Sequence, residues 1–195
     1  HTFVASQLEG IEQGQVTREQ RSRAKAVNFG IIYGQGAFGL ARGLGITRAE
    51  AAKFIDEYKE RYPGITGFME TCVSEAEENG FVTTMLGRRR TISEIHSNNR
   101  NLRALGERLA INTVVQGSAA DMIKRAMVNL HERIAREELD MRLLIQVHDE
   151  LVLDAPLEKV EEYSEIVRQE MAGAIELAVP VKVDVAWGKN WLESK

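Results

Sequence analysis

The chain has 195 residues, 44% hydrophobic and 28% charged, with 16 glycines and three prolines, enough for one domain or two small subdomains around a real core. No apolar run approaches the ~18 residues of a membrane span, no signal-peptide layout is present, and the lone Cys72, which suits a reducing cytoplasm, excludes an internal disulfide. The net charge of −4 argues on average against a polyanionic partner, but the charge is unevenly placed along the chain.

His1 is not a start methionine and reads as a cut made inside a longer protein. Thr17 with Gln20 forms a capping-box pattern, which predicts a helix that Gly34 ends. Over Arg18–Arg42 the basic residues Arg18, Arg21, Arg23, Lys25 and Arg42 face only Glu19. A second box, Thr47 with Glu50, opens a helix whose apolar positions Ala51, Phe54, Ile55, Tyr58 and Tyr62 keep a 3.6-residue period. Pro63-Gly64 is expected to stop it, and a further helix from about Ile65 to Asn79 is closed by Gly80.

Phe81–Met85 and Arg88–Ile92, joined around Gly87, read as a hairpin. A long helix is predicted over Asn98–Arg136, with Gly106 and Gly117 as weak points. Its start overlaps a second basic segment in which Arg88, Arg89, Arg90, Arg100, Arg103 and Arg108 face Glu94 and Glu107. Arg142–Asp154 is the strongest strand signal, two apolar runs around His148-Asp149-Glu150, with the hairpin tip at His148-Asp149. A helix over Leu157–Leu177 carries Glu158, Glu161, Glu162, Glu165, Glu170 and Glu176 against Lys159 and Arg168, and a strand over Val181–Val185 follows Pro180. The expected fold class is α+β, a helical lobe followed by an antiparallel-sheet lobe with flanking helices, dividing near Asn98. Two basic segments and an acidic flank are compatible with one polyanion-binding surface; scattered solvated faces account for charge alone equally well.

Arg21, Lys25, Phe29 and Tyr33 recur every four residues, so on a helix they share one face, drifting by roughly 40° per step. Two cations followed by two rings suit a nucleoside triphosphate lying along the helix, with phosphates at the cations and the sugar and base at the rings. The bland alternative is a surface helix with an aromatic edge tucked into the core. At the other end of the chain, Asp149 and Glu150 cap a very apolar hairpin, where charge needs exposure or a bound cation. Two-metal phosphoryl transfer needs ions about 3.5–4 Å apart clamped by carboxylates. Adjacent strand residues point to opposite faces, so this pair does not make a full clamp and a second aspartate must come from elsewhere. A plain polar turn is the alternative. A His-Asp metal phosphohydrolase is excluded, because His1, His96 and His131 show no ligand spacing. Along the long helix Arg108, Asn112 and Gln116 repeat at four-residue steps, donors suited to the minor-groove acceptors that every Watson–Crick pair presents, or else an ordinary solvent face.

The string Arg21-Ser-Arg-Ala-Lys25-Ala-Val-Asn-Phe29-Gly30-Ile-Ile-Tyr33-Gly34 resembles the fingers-helix motif of family A DNA polymerases, the bacterial DNA polymerase I type, with every position filled. Gln146-Val147-His148-Asp149-Glu150-Leu151 resembles the palm motif of that family, Glu107–Asp121 its palm helix, and Asp184–Leu192 its C-terminus, so the resemblance covers the whole chain. It implies fingers over residues 1–97 and the C-terminal part of the palm over 98–195. It implies that Arg21 and Lys25 hold the incoming triphosphate, that Lys25 gives a proton to the pyrophosphate leaving group, and that His1 contacts the same phosphates. Phe29 would sit against the deoxyribose and Tyr33 beside the templating base. Asp149 would be a magnesium ligand, Glu150 a nearby and less essential carboxylate, and His148 would lie beside the primer terminus. Arg108, Asn112 and Gln116 would follow the duplex, and Arg88, Arg89 and Arg90 reach backbone phosphate.

The implied partners are primer-template DNA, deoxynucleoside triphosphates and the remainder of a parent polymerase; no membrane is implied. The implied cofactor is a pair of Mg2+ ions, only partly held by this chain. The other palm aspartate of the family lies in a motif resembling Asp-Tyr-Ser-x-x-Glu-Leu-Arg, and no such string occurs here. These 195 residues alone are therefore expected not to polymerise. A single-subunit RNA polymerase shares the helix pattern and the His-Asp hairpin; Phe29 and Glu150 favour the DNA enzyme. A nucleotide- or DNA-binding module without catalysis is the third reading.

Overall fold

A computed structural model describes residues 1–194, and by compactness the chain falls into two units, His1–Val115 and the residues from Gln116 onward. The α+β class is observed: seven helices and two antiparallel hairpins among the described residues. The helices are α1 (Thr2–Glu9), α2 (Arg18–Ile32), α3 (Ala37–Leu44), α4 (Arg48–Arg61), α5 (Pro63–Asn79), α6 (Arg100–Arg136) and α7 (Val160–Ala172), and the strands are β1 (Phe81–Thr83), β2 (Arg89–Thr91), β3 (Arg142–Val147) and β4 (Glu150–Asp154).

In the first unit both capping boxes form. The Thr17 and Thr47 hydroxyls accept from the Gln20 and Glu50 backbone N–H groups, while each Thr N–H donates to the partner side chain. The contacts to Thr47 hold the Glu50 carboxyl below its ordinary pKa. These caps fix where α2 and α4 begin. Gly34 takes φ 73° just beyond α2, a left-handed geometry that other residues adopt only at a cost of roughly 1–2 kcal/mol. Pro63 does not merely stop α4: it is the first residue of α5, where its missing N–H needs no partner, so that helix begins two residues earlier than periodicity predicts.

Val27, Ile31, Leu40, Ala41, Ala51 and Tyr58 bury one face each of α2, α3 and α4. A second core joins Ala76, Val82, Ile92, Ile95 and Ala110, so the first turns of α6 pack with α5 and the β1–β2 hairpin. Cys72 is buried, and the loss of water pushes its thiol up to about 11.

The helix α6 runs unbroken through both glycines flagged as weak points. At Gly106 the reason is packing: a Cβ there would lie 2.7 Å from the Ile95 backbone nitrogen and 2.9 Å from the Glu94 carbonyl carbon. The helix gives up some propensity for a close approach to the Ser93–His96 turn. Gly106→Ala is therefore expected to destabilise the chain by about 1–3 kcal/mol through overpacking. Gly67→Ala, inside α5 with nothing within 4 Å of its Cβ, is expected to stabilise it by about 0.5–1 kcal/mol. Urea denaturation of the two variants side by side checks the opposite signs.

The second unit has its own core of Leu130, Met141, Tyr163, Ile166 and Val167. Arg133 clamps the end of α6 to α7, donating to Glu137 and, at 2.9 Å, to Glu170. Part of the acidic excess of α7 is thus neutralised locally, with Lys159 on Glu162 and Arg168 on Glu165 as further pairs. The α7 helix ends at Ala172 before Gly173 rather than running to Leu177, and Leu157–Lys159 forms a separate 3-10 turn. The strand expected over Val181–Val185 is not formed. Its valines are half-buried and alternate with exposed Lys182 and Asp184, as in a strand, but the segment joins no ladder. Period-two burial reports which side faces the protein; only a neighbouring edge makes a strand.

Candidate functional site

The α2 register fixed by Thr17 puts Ala24, Val27 and Ile31 inside and leaves Arg21, Lys25 and Phe29 exposed, with Tyr33 half-buried at the C-cap. The rings of Phe29 and Tyr33 stack with centroids 5.9 Å apart at 16°, and the Lys25 ammonium sits 5.8 Å from the Phe29 centroid. The α1 helix delivers His1 to the same place: its ring lies 5.6 Å from Phe29, tilted by 49°. Four of the five expected nucleotide-binding side chains thus form one contiguous cation–aromatic group, and Arg21 lies one turn back from Lys25 on the same helix. Such a group offers positive charge, an N–H donor and a flat apolar surface together, matching the phosphates, the polar edges and the ring faces of a nucleoside triphosphate.

The end of this helix is closely packed. A Cβ on Gly34 would lie 3.1 Å from Arg108 Cγ, so the Arg108 stem crosses the chain directly after Tyr33. The Gln35 side chain fills the space beside Gly30 and Gly39, where a Cβ on either would collide with it. Gly34 thus has both a conformational and a packing reason, while at Gly30 only the mobile end of the Gln35 side chain stands in the way. Exposed Arg108, Asn112 and Gln116 follow one another along α6. Of the basic hairpin, Arg90 donates to Thr113 Oγ1 at 3.1 Å and Arg89 lies over the Phe81 ring at 4.9 Å, so both brace the β1–β2 hairpin while remaining exposed.

In the second unit β3 and β4 pair antiparallel, with Val147 opposite Glu150 and His148-Asp149 as the two-residue tip. His148 takes φ 54°, the left-handed geometry that a two-residue hairpin turn demands, and its carbonyl accepts from Gln146 Nε2 at 2.9 Å. His148, Asp149 and Glu150 are all exposed. Among the described residues no three His, Cys, Asp or Glu side chains converge as a metal site. The donors present, exposed hard carboxylate oxygens at a tight turn, fit a magnesium-type ion in kind but supply only part of a coordination shell.

Comparison with known proteins decides the family. The profile of DNA polymerase family A matches residues 1–193. The chain belongs to that family. The DNA polymerase I of Lactococcus lactis subsp. lactis (strain IL1403) is 52% identical over the whole of this chain, and that of Bacillus caldotenax 48%. The chain spans 22% of the length of each of these two relatives. Among solved structures, the POL domain of Pol1 from M. smegmatis, in complex with DNA primer-template and dNTP, superposes with a TM-score of 0.94 at 40% identity. That match covers all of this chain and 34% of the other. Polymerases of family A generally use divalent metals. No helix among the described residues is long and apolar enough to cross a membrane.

One residue at this site is invisible to the sequence pattern. Asn28, one position before Phe29, brings its Nδ2 to 3.4 Å from Nδ1 of His1, while its Oδ1 is buried with no hydrogen-bond partner. The four-residue spacing that singles out the cations and rings skips Asn28, because it lies a quarter-turn away on the side of α1. An asparagine among Val27, Phe29 and Ile31 was the available signal.

Proposed function

We propose that this chain supplies the incoming-nucleotide face and one metal-binding carboxylate of a DNA-directed DNA polymerase that acts in replication and repair. Residues 1–97 act as fingers and 98–195 as the C-terminal part of the palm. The observation that carries the reading is the α2 face, where Lys25, Phe29, Tyr33 and His1 form one exposed cation–aromatic group. Charge-assisted contacts from Arg21 and Lys25 hold the triphosphate, and the Phe29 ring lies against the deoxyribose. Tyr33 lies at the insertion site beside the templating base. The pyrophosphate leaving group carries growing negative charge as its bond to the α-phosphorus breaks, and Lys25 stabilises it and donates a proton to it.

Asp149 is the residue that would hold magnesium, with Glu150 as a nearby and less essential carboxylate; a bound ion would supply charge neutralisation for in-line attack by the primer 3′ hydroxyl. His148 lies beside the primer end. Arg108, Asn112 and Gln116 follow the minor groove, where donors can check pair geometry without reading sequence. The partners are primer-template DNA, deoxynucleoside triphosphates and the rest of the polymerase chain, and the reaction belongs to the cytoplasm. The M. smegmatis relative was solved with primer-template and dNTP bound, which supports the same assignment.

A polypeptide of these 195 residues alone is expected to give no primer extension, because Asp149 has no second palm aspartate beside it in this sequence. A gel-based extension assay, with the complete polymerase as the positive lane, measures this. Robust extension by the 195-residue polypeptide contradicts the partial-site reading.

A further inference from the structure

The orphaned Oδ1 of the Asn28 carboxamide is costly where it stands. A buried acceptor without a donor has given up its water for nothing, and an apolar side chain facing α1 would avoid that loss. The side chain makes its hydrogen bond to His1, so the chain retains an amide whose job is directed at that ring. We propose that Asn28 is a positioning residue for His1. Its Nδ2–H donates to His1 Nδ1, which must then be unprotonated, and the imidazole is held neutral with its proton on Nε2.

The consequence is specific to phosphate. A neutral imidazole with its proton on Nδ1 presents a lone pair at Nε2, and that repels phosphate oxygen. The opposite tautomer presents an N–H donor there. Lys25 and His1 both lie against the Phe29 ring, with Arg21 one turn back from Lys25 on α2, so an Nε2–H donor would add a hydrogen bond to phosphate beside the two cations. The Asn28–His1 contact of 3.4 Å is long, as hydrogen bonds at such sites often are before ligand binds, and it is expected to shorten when the ring is loaded.

This inference rests on the triphosphate reading of the α2 face, and the experiment separates the two. In the complete polymerase, single-turnover insertion is measured for Asn28→Ala, His1→Ala, the double variant and Arg21→Ala. Asn28→Ala is expected to raise the KM for dNTP about fivefold, the weight of one ordinary hydrogen bond, with kcat and primer-template affinity little changed. In the His1→Ala background it is expected to add nothing. An equal effect in both backgrounds, or no effect at all while Arg21→Ala raises KM, overturns the inference alone. No effect of Arg21→Ala overturns the triphosphate reading as well. Nitrogen NMR of the complete polymerase labelled at histidine, with the His1 ring assigned by its loss in His1→Ala, is expected to show the neutral Nε2–H tautomer. A neutral Nδ1–H ring or a doubly protonated one at neutral pH overturns the proposal whatever the kinetics.

Discussion

Replacing Asp149 by alanine in the complete polymerase is expected to lower kcat by at least about 10³-fold, some 4 kcal/mol of barrier. The reason begins at the hairpin. A two-residue turn with His148 at φ 54° fixes the carboxylate at the tip, and the apolar strands behind it hold that tip without needing the charge. An exposed turn residue has little packing to lose, so the melting temperature and primer-template affinity are expected to stay near those of the parent. Loss of rate without loss of fold or DNA binding marks a group that acts in the chemical step, as a metal ligand does. Glu150→Ala is expected to fall within about tenfold of the parent, since Glu150 opens β4 opposite Val147 rather than standing at the tip. Rapid-quench primer extension with saturating dNTP and Mg2+ measures both. A vigorous Asp149→Ala enzyme removes the catalytic assignment of the hairpin.

Removing Lys25 is the second large effect. Lys25→Ala is expected to lower kcat by about 10²–10³-fold, the range for loss of a positioned general acid with its charge. Arg21→Ala is expected to act mainly on KM, raising it about 10–100-fold, because on the proposed function a guanidinium one turn from the reacting end would bind the phosphates in ground and transition states alike. The two positions are four residues apart on a capped helix whose buried side is Ala24, Val27 and Ile31, so neither change disturbs the core. Lys25→Arg keeps the charge but supplies a far weaker acid, and it is expected to recover binding more than rate. Pre-steady-state titration of dNTP against each variant separates the KM effect from the kcat effect. Equal loss of kcat from both alanine variants would remove the distinction between holding the phosphates and protonating the leaving group.

Most of the helical unit is legible from local chemistry, because its boundaries are set by side chains bonding their own backbone. Thr17-Gln20 and Thr47-Glu50 form the boxes that their spacing predicts, and Gly34 and Gly80 take the left-handed geometry that ends a helix. The hairpin over Arg142–Asp154 is legible for a related reason: two apolar runs separated by a polar step leave one place to turn. What the local pattern misreads depends on distant neighbours. Val181–Val185 alternates like a strand but joins no ladder, and Gly106 looks like a weak point until the Ser93–His96 turn is seen lying against it. Asn28 is the instructive miss. Its partner precedes α1, and no spacing rule along α2 connects residue 28 with residue 1.

If the α2 face and the Asp149 carboxylate serve templated deoxynucleotide transfer, single-turnover extension by the complete polymerase with matched dNTP, mismatched dNTP and matched NTP tests this most directly. Rapid insertion of the matched deoxynucleotide alone is expected, with pyrophosphate release, and it is abolished by Asp149→Ala. Preference for the ribonucleotide, or insertion that ignores the template or survives Asp149→Ala, would contradict it.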